Sequence, residues 1–428
     1  MEHTIGELQR LQGLPLKDKV EMTKERIRAW VDHFGLDHVA ISFSGGKDST
    51  VLLHIAREMY PDIKAVFSDT GLEYPEIREF VKSFDNVDWV KPKMNFRQVI
   101  EKYGYPLFSK EISESVEGAR KYLTSIINEE NAFSKQASKQ ASKQNYRYFY
   151  DKVTGQGKYD KSKKNEWGGT ITSIAKSKEL ANILNERMVA KTGGQNQRLA
   201  LLLGMLTRDK EHPIQVNIPD KDRSQFSQER YQFLLEAPFE ISNKCCNRMK
   251  KDPLANYSKK NERYYITAQM ASESRLRTQK WLQHGCNAYD AKKPISNPMS
   301  FWVDQDVLLF IKTNNTPICS VYGEIKTEDE IDGQMTIGDV LGEKELFDLD
   351  RPTLKTTGCN RTGCLYCGFG CHLEKPGEGR FERLKVTHPQ IYDYIMRPWD
   401  ENGKQGLNYK EIIDWINEHN GKGTIIRY

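Results

Sequence analysis

No run of apolar residues in the sequence approaches the roughly 20 that a helical membrane span needs. The opening segment, MEHTIGELQRLQGLPLKDKVEMTKERIRAW, carries charges throughout and has no apolar centre of the kind a secretion signal uses. Neither an export signal nor an anchor is expected, no membrane partner is implied, and the chain reads as cytoplasmic. Net charge is also scarce: +5 over 428 residues says little about partners. Cysteine is sparse and uneven. Cys245 and Cys246 are adjacent, Cys359, Cys364, Cys367 and Cys371 crowd together, and Cys286 and Cys319 stand alone. A reducing compartment argues against disulfides, so the clusters point to metal and the lone cysteines to core packing.

The length suits two or three units rather than one core. Residues 1–36 read as amphipathic helices, with Leu8, Leu11, Val20, Ile27 and Trp30 at broadly helical intervals. In 37–112 the pattern becomes strand, glycine turn, helix, then a strand over Ile63 to Phe67 and a helix over Tyr74 to Phe84. This is βαβα order and implies an α/β fold with a parallel, Rossmann-like sheet, which binds ligands at the carboxyl ends of its strands. From 113 to 205 the rhythm stops in a partly helical insertion. Its stretch from Lys135 to Lys164 holds Lys135, Lys139, Lys143, Arg147, Lys152, Lys158, Lys161, Lys163 and Lys164 against Asp151 and Asp160. That stretch is either a solvated face or a surface for an anionic polymer such as tRNA or DNA. The second half of the α/β domain is expected over 206–344, with a strand at Arg263 to Thr267 and a helix from Asp304. A cysteine-rich region ending in a helix, Tyr409 to His419, fills 345–428.

Ser44-Gly45-Gly46-Lys47-Asp48-Ser49 lies where the first strand meets a helix, the place where unpaired amides and the helix dipole favour an anion. The glycines would let backbone approach a phosphate, Ser44 and Ser49 would add hydroxyl donors, and Lys47 would add charge. Asp48 would orient the loop or hold a metal ion. The side chains of Lys47 and Asp48 are expected on an exposed turn. The spacing is neither GxxxxGK[ST] nor GxGxxG.

The loop resembles the SGGxDS PP-loop of ATP pyrophosphatases and phosphoadenosine phosphosulfate (PAPS) reductases. In those families the next strand ends in Asp-Thr-Gly beside the nucleoside, matched here by Asp69-Thr70-Gly71. Gln269, Arg275 and Arg277, within Ile266-Thr-Ala-Gln-Met-Ala-Ser-Glu-Ser-Arg-Leu-Arg, resemble the family's arginine-bearing loop, with Ala268 and Met270 in place of a glycine and an arginine. The arginines are either phosphate contacts or a helix's solvated charges. Asn297-Pro-Met-Ser-Phe-Trp302-Val-Asp-Gln-Asp306-Val continues the resemblance. Lys244-Cys245-Cys246-Asn-Arg248-Met-Lys250-Lys251-Asp-Pro253-Leu254 resembles the CCxxRKxxPL segment of iron–sulfur adenylyl-sulfate reductases, and Cys364-Leu-Tyr-Cys367 supplies their second pair.

The resemblance therefore implies Cys245, Cys246, Cys364 and Cys367 as ligands of a [4Fe–4S] cluster, with zinc as the alternative. Cys359 and Cys371 are surplus to it, and are either packing or loop residues, substitutes for a ligand, or a redox or sulfur-accepting thiol; His372 is either structural or ligating. It implies two chemistries. In one, ATP with Mg²⁺ adenylates an acceptor that sulfur then attacks, with Lys47, Asp48 and Arg275 in the catalytic role and a sulfur-donor protein as partner. In the other, the nucleotide is itself a sulfonucleotide, APS or PAPS, and a thiolate attacks its sulfur. Assimilatory reductases end in ECGxH; the tail Gly421 to Tyr428 has no cysteine, which favours the first expectation. A non-enzymatic nucleotide-binding component of a defence or mobile-element complex is a third reading. A dimer is compatible with all three.

Overall fold

The computed structural model describes residues 3–130, 181, 184–185, 193–208, 213–215, 218–328, 330 and 353–428. The lysine-rich stretch from Lys135 to Lys164 lies outside them. The chain forms two compact units, residues 1–95 with 248–365, and residues 96–247 with 366–428.

The first unit opens with α1 (Ile5–Gln12), where Thr4 accepts from the Glu7 amide at 3.1 Å and so caps the helix, and α2 (Leu16–Phe34). Then come β1 (Val39–Ser42), α3 (Lys47–Met59), β2 (Lys64–Ser68), α4 (Pro75–Lys82) and β3 (Val87–Val90). The chain crosses into the second unit for α5 (Phe96–Tyr103), β4 (Leu107–Phe108), α6 (Lys110–Glu130) and α7 (Gly193–Leu202). Both described ends of the insertion are thus helical. It returns for α8 (Asp252–Asn261), β5 (Tyr264–Ile266), α9 (Arg275–His284), β6 (Asn287–Ala288), β7 (Ile295–Ser296), α10 (Asp304–Asn314), β8 (Ile325–Thr327) and β9 (Leu354–Thr356). It leaves again through β10 (Gly368–Phe369), α11 (Arg380–Thr387), α12 (Pro389–Met396) and α13 (Tyr409–His419).

The sheet of the first unit runs β3-β2-β1-β5-β7-β6, parallel throughout except for the antiparallel pair β6 and β7. Val39, Ala40 and Ile41 of the central β1 are wholly buried, as a parallel strand covered on both faces requires. The fold is α/β with a parallel-dominated, Rossmann-like sheet, as the strand and helix periods imply. β2 and β3 lie to one side of β1, and β5 and β7 to the other. That reversal of order opens a crevice above the carboxyl end of β1, where the glycine turn begins. Trp30, Phe43, Phe67, Phe301 and Trp302 fill the surrounding core.

In the second unit β4 pairs with β10 in parallel, through Leu107 with Gly368 and Phe108 with Phe369. Its core holds Tyr105, Phe108, Phe381 and Tyr409. The buried Arg120 donates to the carbonyls of Phe239 (2.8 Å), Leu234 (2.5 Å) and Ala237 (2.9 Å), gathering carbonyls at and just beyond the end of the helical turn Glu229–Glu236. No helix among the described residues is long and apolar enough to cross a membrane.

Candidate functional site

The two glycines of the turn after β1 serve different needs. Gly45 has φ +70°, the left-handed region that β-carbons disfavour, and a methyl there would lie 2.8 Å from Val81 and 2.9 Å from Ile77 on α4. It bends the chain and lets it rest on α4. Gly46 has an ordinary φ of −76°. Its need is space: a β-carbon would meet hydroxyl oxygens of Thr362 at 3.2 Å and of Ser44 and Tyr322 at 3.3 Å. Three hydroxyls therefore converge over the bend.

The motif's own serines act differently from the expectation. Ser49 donates to the Gly46 carbonyl at 2.9 Å and accepts from the Ser44 amide at 3.2 Å. Ser44 Oγ accepts from the Gly46 amide at 3.3 Å and lies 3.0 Å from Ser49 Oγ. With the proton of Ser49 committed to Gly46, that of Ser44 goes to Ser49. Both hydroxyls shape the loop instead of projecting from it.

Lys47 also departs from the expectation of an exposed turn, for it is only 3% exposed. The turn closes at Gly46, and Lys47 is already the first residue of α3, so its stem is covered by the fold. Its ammonium donates to Asp48 at 2.9 Å and to Asp304, the first residue of α10, at 2.5 Å. Burial works against that charge, but the two carboxylates outweigh it and raise its pKa above the ordinary 10.5. Asp48 is half-buried. Asp304 is not among the site residues the sequence suggests, although an acidic residue opening a helix within the Asn297 to Val307 element is a usable signal.

Beside Lys47 lies a cavity of about 450 Å³, walled also by Met270, Glu273, Gln305, Lys355 and Arg361. Glu273 accepts from Arg361 at 3.0 Å and pairs with Arg277. The Arg277 guanidinium is partly desolvated, which lowers its pKa, as does the neighbouring Arg361, while Asp48 works the other way. Arg277 thus lies within electrostatic reach of the loop. Arg275, at the start of α9, is exposed, and Gln269 is half-buried in the segment after β5. Met270 is a buried cavity wall.

On the other side of the loop a smaller cavity, about 120 Å³, is bounded by Ser44, Ser68, Glu73, Tyr74, Lys250 and Thr362. The Asp69-Thr70-Gly71 turn borders it in sequence. Asp69 is buried and paired with Arg78 at 2.9 Å, Thr70 donates to Glu73 at 2.7 Å, and Gly71 takes φ +72°. The Leu365 amide donates to the Leu72 carbonyl at 2.8 Å. The segment bearing Thr362 and Cys364 is thereby fastened to this turn. Lys250 lies 3.8 Å from Glu73, so the CCxxRKxxPL-like segment contributes a cation to the cavity.

Among the cysteines, Cys319 and Cys359 are buried in the first unit's apolar core. Cys364 belongs to the first unit, and Cys245, Cys246, Cys367 and Cys371 to the second. Within the second unit Cys367, Cys245 and Cys371 all bear electrostatically on the buried Tyr409 hydroxyl, whose pKa burial raises furthest. Cys371 Sγ donates to the Cys367 carbonyl at 3.6 Å, and burial pushes its thiol up. Among the described residues no three His, Cys, Asp or Glu side chains are gathered in metal-binding geometry. Cysteine thiols are nonetheless the donor chemistry that a thiophilic metal or cluster takes. His372 packs on Phe108 and lies 3.2 Å from the Tyr231 hydroxyl. Those contacts account for it as a packing residue.

The phosphoadenosine phosphosulfate reductase domain family matches residues 38–123 and 171–368. An uncharacterized protein of Methanocaldococcus jannaschii is 36% identical over 101 residues, 21% of this chain and 24% of that protein. A phosphoadenosine 5'-phosphosulfate reductase of Xylella fastidiosa (strain M23) is 35% identical over 78 residues, 16% of this chain and 33% of that enzyme. The matches thus span a third or less of these curated relatives.

Proposed function

The chain belongs to the phosphoadenosine phosphosulfate reductase domain family, and from that premise we propose that it binds ATP at the Ser44 to Ser49 loop and adenylates an acceptor for sulfur transfer. The family is one of nucleotide-binding enzymes of sulfur chemistry. The observation that carries the narrower reading is the pair of carboxylates, Asp48 and Asp304, meeting at the loop's lysine. Two carboxylates beside a phosphate site repel a nucleotide unless a cation is shared with it, and a triphosphate brings one. Asp48 and Asp304 are the residues that would hold Mg²⁺, which when bound offsets the charge of the phosphates.

In this reading the nucleoside lies toward Ser68, Glu73 and Tyr74, and the phosphates cross the first turn of α3 toward Lys47. Lys47, its charge secured by its carboxylate partners, offsets negative charge developing on the leaving pyrophosphate. Arg277 and Arg361 lie on that side. An acceptor oxygen forms a bond to the α-phosphorus as the bond to the bridging oxygen breaks, and pyrophosphate departs with the electron pair. A sulfur nucleophile then bonds to the activated carbon and AMP leaves with the oxygen. Cys245, Cys246, Cys364 and Cys367 are the residues that would hold a [4Fe–4S] cluster or zinc. The basic tract from Lys135 to Lys164 supports a nucleic acid as acceptor.

A second reading, reduction of a sulfonucleotide by a thiolate, is favoured by the position of Cys364, two residues beyond the Thr362 that touches the loop. Pyrophosphate release from ATP, measured with and without tRNA or duplex DNA, tests the first reading. Sulfite release from APS or PAPS with a thiol reductant, and no pyrophosphate from ATP, would establish the second in its place.

A further inference from the structure

We propose that Tyr322 and Thr362 complete the anion cradle by presenting a hydroxyl donor to the nucleotide's phosphate over Gly46. The inference rests on the nucleotide reading of the loop. It starts from a count of protons. The hydroxyls of Ser44 and Ser49 are spent within the loop, as their bonds to each other and to Gly46 require. The Lys47 amide, a first-turn donor of α3, gives its hydrogen to Tyr322 Oη at 3.0 Å. Tyr322 Oη lies 2.7 Å from Thr362 Oγ1. The two hydroxyls own two protons and share one bond, so one proton is surplus whichever oxygen donates.

The surplus donor sits where a ligand oxygen would arrive. Both oxygens stand within 3.3 Å of the point a Gly46 β-carbon would occupy, and Thr362 also borders the smaller cavity. Because the pair is chained to the Lys47 amide, it extends the positive end of α3 outward by two hydroxyls. Tyr322 is buried, which raises its pKa to about 12 and keeps the phenol protonated and neutral at physiological pH. A neutral donor here adds recognition without adding charge beside Asp48 and Asp304. Thr362 is held in place from both flanks, by Arg361 on Glu273 and by the Leu365 amide on the Leu72 carbonyl.

The test is equilibrium binding of ATP, adenosine and inorganic pyrophosphate to the full chain and to Tyr322→Phe, Thr362→Val and Thr362→Ser, with circular dichroism confirming each fold. Tyr322→Phe keeps the buried ring, and Thr362→Val keeps the shape. The double variant Tyr322→Phe with Thr362→Val removes both protons and should weaken ATP and pyrophosphate roughly tenfold or more, the range for a hydrogen bond to a charged group, while leaving adenosine unchanged. Each single variant keeps one hydroxyl and should lose less than the double, and Thr362→Ser should bind as the wild type does. Wild-type ATP affinity in the double variant, or an equal loss for adenosine, overturns the proposal. If the wild type binds pyrophosphate but not ATP, the ATP reading fails while loss of pyrophosphate in the double variant still upholds the cradle. If it binds neither, the cradle falls as well.

Discussion

Replacing each of the two adjacent glycines by alanine should produce opposite phenotypes. Gly45→Ala forces a β-carbon into the left-handed region, at about 1–2 kcal/mol, and drives it to 2.8 Å from Val81 and 2.9 Å from Ile77. Both neighbours are wholly or almost wholly buried branched side chains with nowhere to move. Overpacking of that kind costs about 1–3 kcal/mol, so the total is about 2–5 kcal/mol. With a denaturant slope near 3 kcal/mol per molar, the urea midpoint should fall by about 1 M. Gly46→Ala keeps an ordinary φ, and its methyl meets hydroxyls at 3.2 to 3.3 Å that can give way by tenths of an ångström. Its stability loss should be about 1 kcal/mol or less, while ATP affinity collapses because the hydroxyls it pushes aside are the cradle. The assays are urea unfolding followed by far-UV circular dichroism, and ATP titration at a urea concentration where both variants are folded. A Gly45→Ala protein as stable as wild type, or a Gly46→Ala protein destabilised more than Gly45→Ala, would refute this account of the turn.

Lys47→Met should abolish ATP binding while changing stability by no more than about 1–2 kcal/mol, since Asp304 is 55% exposed and water screens the pair; normal ATP affinity would remove the lysine from the site. The protonated ammonium is the binding form and its pKa is raised, so ATP affinity should stay flat from neutrality to pH 10 and fall only above 10.5. By the same linkage the stability that Lys47 contributes is fully present below the unfolded lysine value and lost as pH rises through the folded one. An affinity that declines between pH 8 and 10 in wild type but not in Lys47→Arg would contradict this. Anaerobically isolated protein should contain iron and sulfide with broad visible absorbance, and Cys245→Ser or Cys367→Ser should bleach it, whereas Cys319→Ser, in the apolar core, should not. Stoichiometric zinc in a colourless protein would replace the cluster while keeping the thiolate site.

What the sequence determined by itself was local. A buried strand, two glycines and an amphipathic helix follow one another within about twenty residues, and strand period, turn chemistry and helix period are all short-range properties. β1, the turn and α3, like α10 and α13, therefore formed where their patterns placed them, and the parallel order followed from the alternation of strand and helix. The cysteine pairs stand out in the sequence as well, because adjacent cysteines are rare, but a motif of that kind states donors and not their arrangement. The tertiary structure decided what surrounds the loop. Asp304 and Tyr322 reach Lys47 from 257 and 275 positions away in sequence, and Thr362 stands 40 positions from Tyr322. Their neighbourhoods do not say which distant residue each one meets. They meet because the sheet's order sets β5 beside β1 and β7 beside β5, which carries the start of α10 to the mouth of the glycine turn. The burial of Lys47 and the internal bonding of Ser44 and Ser49 were hidden for the same reason. A motif states which donors are present, and only packing around them determines which donors are already spent.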